Sequence, residues 1–223
     1  MSKELEIACF NKTSALIAQN AGADRIELSI HYAAGGISPP EKLIQEVLKE
    51  INIPVHVLIR PRAGNFRYSE EELELMRNQI KFCKMNNVPA IVFGILDQKN
   101  EIDVNRCEEL LLQAKPMRTV FHRAFDACAN SESALGQLIK LGFDGVLTSG
   151  GNTDALIGLG NIKRWQKQFG QHISIIAGGG LRSSNLQQII ETNCQVYHSS
   201  AITDDSEIAS ETEIKKLKTL LAS

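Results

Sequence analysis

A TIM (β/α)8 barrel forming a single domain over residues 1–223 is the fold this sequence predicts, and three observations carry the prediction. Short runs rich in β-formers alternate, eight times over, with helix-length amphipathic segments. Some runs are almost continuously apolar, as in Pro54-Val55-His56-Val57-Leu58-Ile59, which is how a strand covered on both faces reads. Run after run also ends on a polar or ionisable residue and then a loop: Glu27, Arg60, His122, Thr148 and His198 stand in such places. In a barrel of this kind the working groups sit at the C-terminal ends of the strands. The rival is an open doubly wound sheet, but no Gly-x-Gly-x-x-Gly turn follows the first strand.

Leu5 to Phe10 reads as the first strand. Asn11 is suited to cap a helix through Ala21, with Leu16, Ile17 and Ala21 on its inner face, and Gly22 ends it. Asp24 to Leu28 is the second strand. Beyond Gly35-Gly36, Pro40 fits the first turn of a helix carrying Leu43, Ile44, Val47, Leu48 and Ile51 at helical spacing. The third strand runs into Arg60-Pro61-Arg62-Ala63-Gly64. Ser69 and Glu72 form a capping box for a helix with Met76, Ile80 and Cys83 inward. Ala90 to Ile95 is the fourth strand, and Asp103 opens a helix with Cys107, Leu110, Leu111 and Ala114 inward. The fifth strand begins at Thr119, and a helix from about Ser131 ends near Gly142. Gly145 to Thr148 is the sixth strand, followed by a helix with Leu156, Leu159, Ile162 and Trp165 on one stripe; Trp165 reads as packing. Ile173 to Ala177 is the seventh strand, with Ser183 or Ser184 opening a short helix. Gln195 to His198 is the eighth, and Ser210 with Glu213 reads as a second capping box before a helix with Ile214, Leu217 and Leu220 inward. Residues 20–28 and 140–148 echo one another: helix end, glycine, aspartate, strand.

The totals narrow the function. A hydrophobic fraction of 43% and a charged fraction of 22% are ordinary for a globular protein. A formal charge of −2 argues against a nucleic-acid partner bound through general basicity. No run approaches the roughly 18 apolar residues of a membrane span, and Met-Ser-Lys-Glu-Leu-Glu-Ile lacks an apolar signal region, so a cytoplasmic protein with no membrane partner is expected. Cys9, Cys83, Cys107, Cys128 and Cys194 are scattered and form no Cys-x-x-Cys pair, the pattern of buried thiols rather than a disulfide framework or zinc finger. The expected partners are a small molecule and another copy of the chain, as a homo-oligomer.

The richest stretch is Thr119-Val120-Phe121-His122-Arg123-Ala124-Phe125-Asp126, a strand that ends on three ionisable groups. Side-chain alternation groups Glu6 with Ala8, Glu27 with Ser29, and His56 with Leu58 and Arg60, and turns Cys9 toward the helices. The expected catalytic set is Glu6, Glu27, His122 and Asp126, with a glutamate as base and His122 as acid. The expected anion site is Arg60, Arg62 and Arg123 with Thr148, Ser149, Gly178, Gly179, Gly180, His198 and Ser199, because loops after the last strands of such barrels often bind phosphate through backbone N–H groups. A plainer reading has Glu6 and Glu27 neutralising Arg60 and Arg123. A third reading makes Glu6, Glu27, His56, His122 and His198 ligands for zinc or manganese, although no two histidines have a diagnostic spacing.

Several blocks resemble one family. Gly22-Ala23-Asp24-Arg25-Ile26-Glu27-Leu28, Ile59-Arg60-Pro61-Arg62-Ala63-Gly64-Asn65-Phe66, Phe121-His122-Arg123-Ala124-Phe125-Asp126, Ala177-Gly178-Gly179-Gly180 and His198-Ser199-Ser200-Ala201 are similar to the CutC family, in order along the chain. The resemblance implies a TIM barrel in the cytoplasm, a role in copper homeostasis, and copper as the bound metal. The cysteines it implies as copper ligands fall at Ala8 and Ser29 in this sequence, and a third common in bacterial members falls at Arg67. It also implies a longer loop after the last strand than the one between Ala201 and Ser210.

Overall fold

The computed structural model describes residues 3–222. Its eight strands are β1 (Glu4–Cys9), β2 (Arg25–Leu28), β3 (Val55–Leu58), β4 (Ala90–Phe93), β5 (Arg118–Phe121), β6 (Gly145–Thr148), β7 (Ser174–Gly178) and β8 (Val196–Ser199). They pair in parallel, each with the next, and β8 closes on β1 through Glu6 opposite His198. The fold is therefore the predicted TIM barrel, with no open sheet edge. The helices between the strands are α1 (Lys12–Asn20), α2 (Glu41–Glu50), α3 (Glu70–Met85), α4 (Val104–Ala114), α5 (Ser131–Leu141), α6 (Leu159–Phe169), α7 (Leu186–Ile189) and α8 (Glu211–Ala222).

Two apolar layers hold it together. The outer one joins the outward faces of the strands, such as Ile7, Ile26, Val57 and Ile91, to the helices. The inner one is small: Leu58, Val92, Val120, Leu147, Ile176 and Val196, one from each strand from β3 to β8. β1 and β2 contribute Glu6 and Glu27 instead, both buried. The interior is thus apolar around most of its girth and charged along one seam. Cys9 lies in the outer layer, as alternation predicts.

Local signals set most element ends. Asn11 Oδ1 accepts from Ser14 N at 2.7 Å, Asp103 Oδ1 from Arg106 N at 3.1 Å, and the Ser69–Glu72 capping box is complete. The sequence echo has a structural counterpart. Gly22 (φ +90°) and Gly142 (φ +86°) turn the chain out of α1 and α5, and the aspartates that follow accept from strand N–H groups. Asp24 Oδ2 holds Leu5 N at 2.6 Å and Asp144 Oδ2 holds Thr119 N at 2.7 Å.

Some expectations on the helices are corrected. The innermost residues of α1 are Ser14, Ala15 and Ala18, with Leu16 and Ile17 half-buried; small side chains let the helix lie close to the sheet. Leu156 precedes α6 and is exposed, so the stripe reduces to half-buried Leu159 with Ile162 and Trp165, the last edge-on to Phe125 at 5.3 Å. Neither Ser183 nor Ser184 caps α7, where the N-cap is Asn185. The second capping box is only half made. Glu213 N reaches Ser210 Oγ at 3.3 Å, but the Glu213 carboxylate turns away to accept from Ser183 N and, at 2.8 Å, Ser183 Oγ.

Candidate functional site

The C-terminal mouth of the barrel encloses a cavity of about 270 Å3. Its floor is the charged seam of β8, β1 and β2. Glu6 sits beneath the cavity and is held by basic side chains: Arg25 Nε at 2.6 Å, His198 Nδ1 at 2.7 Å, and His56 Nδ1 at 2.9 Å. The His56 contact is close but out of line for a hydrogen bond. Burial alone would raise the Glu6 pKa; Arg25, His198 and His56 overcome it and hold the carboxyl well below the usual carboxylate range. The plainer reading of the seam had the right idea and the wrong partners: Glu6 pairs with Arg25, His56 and His198, not with Arg60 or Arg123.

Glu27, one strand over, is different. It is buried, it lines the cavity, and among the described residues no group donates a hydrogen bond to it. Burial raises its pKa, and the nearby Glu6 charge adds to that against the pull of His198. Desolvation opposes a charge on buried His198, yet its hydrogen bond to Glu6 and the charge of Glu27 raise its pKa. The floor therefore presents a carboxyl that holds its proton more tightly than usual beside an imidazole that does the same.

His122 is corrected as an acid. It caps the 3-10 turn Arg123–Ala127, with Nδ1 accepting from Ala124 N at 3.2 Å, which places the ring proton on Nε2. Burial and then Arg60 push its pKa down to about 3, so it stays neutral. Nε2 is buried without a hydrogen-bond partner among the described residues. His122 is a neutral donor on the cavity wall. Gly94 makes its position possible: a Cβ there would lie 2.7 Å from His122 Nδ1.

The arginines divide. Arg60 lines the cavity and staples two loops, donating to the carbonyls of Ala34 (3.0 Å), Gly36 (2.8 Å) and Gly64 (3.0 Å), over the ring of Phe66. No carboxylate pairs with it among the described residues. Arg123 also lines the cavity but is tied to Asp126 at 2.9 Å and Ser149 Oγ at 2.7 Å. Arg62 points elsewhere, bound to Glu72 and to the carbonyl of Arg67 at 2.7 Å, so its expected place in an anion site is not met.

Asp126 is corrected too. Its carboxylate is filled by Ser149 N, Gly151 N at 3.0 Å, the hydroxyls of Thr148 and Ser149, and Arg123. Nothing is left for proton transfer; it is the buckle of the loop after β6. Thr148 and Ser149 are turned toward it, outside the cavity. Gly178 lies inside the barrel wall, where a Cβ would come 2.6 Å from Leu147 Cδ1. Glu27, Arg60, His122, Arg123, Gly179, Gly180, His198 and Ser199 do meet around the cavity. The sequence reading missed Arg182 and Ser200, which also line it; an arginine two residues after Gly-Gly-Gly was the available signal. Ligand atoms of Glu6, Glu27 and His198 lie within 4.8 Å of one another, which is the one grouping of this kind among the described residues able to approach a cation.

The CutC family model matches residues 3–203. The chain belongs to the CutC family. The family protein CutC of Photorhabdus laumondii subsp. laumondii is 41% identical over 198 residues, 89% of this chain and 79% of that protein. That of Proteus mirabilis is 40% identical over the same shares. Among solved structures, one from Streptococcus agalactiae that bears the name copper homeostasis protein CutC superposes with a TM-score of 0.85 at 33% identity, over 91% of this chain and 100% of that one. Phosphoribosyl anthranilate isomerase of Thermotoga maritima, at 12% identity and TM-score 0.67, covering 99% of this chain and 98% of that one, shares the barrel fold. Among the described residues no helix is long and apolar enough to cross a membrane.

Proposed function

We propose that this CutC-family chain is an enzyme that moves a proton on a small anionic metabolite. Glu27 carries the reading. A buried carboxyl whose proton is held more tightly than usual, with no protein donor, on the floor of a cavity, is placed to take or give a proton. His198, oriented by Glu6, supplies the second titrating group. The surrounding walls favour an anion, with Arg60 buried and lacking a carboxylate partner among the described residues, and the His122 N–H lacking an acceptor. The cavity is smaller than the usual range for drug-sized ligands, about 300–1,000 Å3, which favours a small metabolite.

The copper-homeostasis name of the relatives does not translate into a copper site here. Copper(I) prefers thiolate and thioether ligands. The positions implied for its cysteines hold Ala8 and Ser29. Cys9 faces the helices, and burial raises its thiol pKa; burial also raises those of Cys83, Cys128 and Cys194 to about 12.

A thermal-shift screen of phosphorylated and carboxylated metabolites, with zinc, manganese and copper as separate arms, tests the reading. Binding to the folded state raises the melting temperature by mass action. A hit that is turned over by the wild type, and bound but not turned over by Glu27→Gln, is the expected result. A shift with a metal alone, lost in Glu27→Gln, replaces the reading with a metal site.

A further inference from the structure

We propose that the rim between β7 and β8 is a phosphate subsite, so that the substrate is a phosphate monoester seated there by its phosphate. The inference rests on the proposed function and names its substrate class. The first observation is on the backbone. The N–H groups of Gly179, Gly180 and Leu181 follow one another and, among the described residues, donate to no acceptor. Gly179 (φ +101°) and Gly180 (φ +71°) hold left-handed backbone, which L side chains rarely adopt. Successive free N–H groups in such a conformation form a concave anion cradle.

The second observation is Arg182. It lines the same cavity and, among the described residues, pairs with no carboxylate. Its fork is nonetheless fixed: Nη1 donates to Leu181 O at 2.7 Å and to Ser199 Oγ at 3.4 Å, and Nη2 to Ser200 Oγ at 3.0 Å. An arginine so held, with charge left over, suits the several acceptor oxygens of a phosphate. Arg123 stands behind the cradle, where a Cβ on Gly179 would lie 3.2 Å from its Cζ. Acidic groups are close as well: Asp154 packs beside Gly180, with its carboxylate capping Ile157 N at 3.0 Å, Glu213 is held by Ser183 N and Oγ next to Arg182, and Asp204 and Asp205 share the neighbouring groove with Arg182. More donors converge here than the two oxygens of a carboxylate require.

Placement does the rest. β7 stands across the closed barrel from β3, four strands away in either direction. A phosphate on the β7–β8 rim leaves the rest of the molecule to extend toward Arg60 and His122, over Glu27 and His198 on the floor.

The test titrates the full chain with inorganic phosphate, read by melting temperature and 31P line width, in wild type, Arg182→Met, Ser200→Asp, Arg60→Met and Glu27→Gln. Circular dichroism confirms that each variant folds. Phosphate is expected to stabilise wild type and Glu27→Gln alike. Its affinity is expected to drop at least tenfold in Arg182→Met and in Ser200→Asp, and less than threefold in Arg60→Met. If either rim variant fails to fold, the other still decides. Undiminished binding in the folded rim variants, an equal loss in Arg60→Met, or stabilisation by malonate but not by phosphate overturns the subsite and leaves the acid–base reading standing. Phosphate binding as expected with no metabolite ever turned over does the reverse.

Discussion

His198 Nδ1 and Glu6 Oε1 lie 2.7 Å apart across the strand pair that closes the barrel, although 192 residues separate them in the chain. The contact orients the imidazole over the cavity floor and joins the first strand to the last. Glu6 meets Arg25 and His56 at the same point, so one carboxylate gathers three basic side chains.

Replacing Glu6 with Gln is therefore expected to cost about 3–5 kcal/mol, the range for breaking a buried ion pair by removing one partner. Urea unfolding at pH 7 measures it. Because the folded pKa of Glu6 is depressed, its contribution is complete above the ordinary value of 4.5 and is lost as pH falls through the folded value. As pH falls below 4.5 the wild type should accordingly lose stability faster than the variant. Imidazole NMR gives a second readout. His198 should titrate above 6.5 in the wild type and below it in Glu6→Gln, where burial is less opposed.

Glu27→Gln should have the opposite sign. The folded pKa of Glu27 is raised, so the stability linked to its proton is full below 4.5 and lost as pH rises through the folded value. Glutamine has nothing to ionise. The variant is expected to match wild type near pH 4 and to exceed it at pH 8 by about 1 kcal/mol, the scale of an ordinary stabilising substitution. Parallel urea midpoints at every pH would show that Glu27 titrates normally.

Asp126→Asn puts amide donors opposite donors. The loop after β6 loses its acceptor for Ser149 N and Gly151 N, and Arg123 loses its partner. A cost of about 2–3 kcal/mol is expected, the scale of hydrogen bonds to a charged group. Amide exchange at Ser149 and Gly151 should speed up well before exchange in β6 does.

Gly94→Ala tests the seat of His122. The added methyl meets the ring at Nδ1 and also comes 3.0 Å from Phe121 Cζ. The expected loss is about 1–3 kcal/mol, as for an overfilled core. Exchange protection at Ala124 N should fall with it, since the ring can no longer accept from that group. Retained protection would place the strain elsewhere.

The strands and their working ends were legible because both are local signals. A β-rich run followed by an ionisable residue needs no knowledge of the rest of the chain, and that pattern found Glu27, Arg60, His122 and His198. Partners were not legible. Nothing near Glu6 in sequence announces His198, and nothing near Asp126 announces the N–H groups beyond β6 that consume it. Arg62 misled for a related reason: two arginines flanking a proline look equivalent, but one turns inward to loop carbonyls and the other outward to Glu72. Arg182 was passed over because the glycines before it were read as backbone donors alone.

Glu213 belongs to α8, beyond the residues that the family model matches, yet its carboxylate holds Ser183, the residue next to Arg182. The tail of the chain is thus mechanically attached to the rim of the cavity. Substitutions in α8 can reset the placement of Arg182 without any contact with a ligand. Relatives that share every cavity residue can then differ in what they prefer to bind, and the origin of the difference would lie in a helix that never meets it.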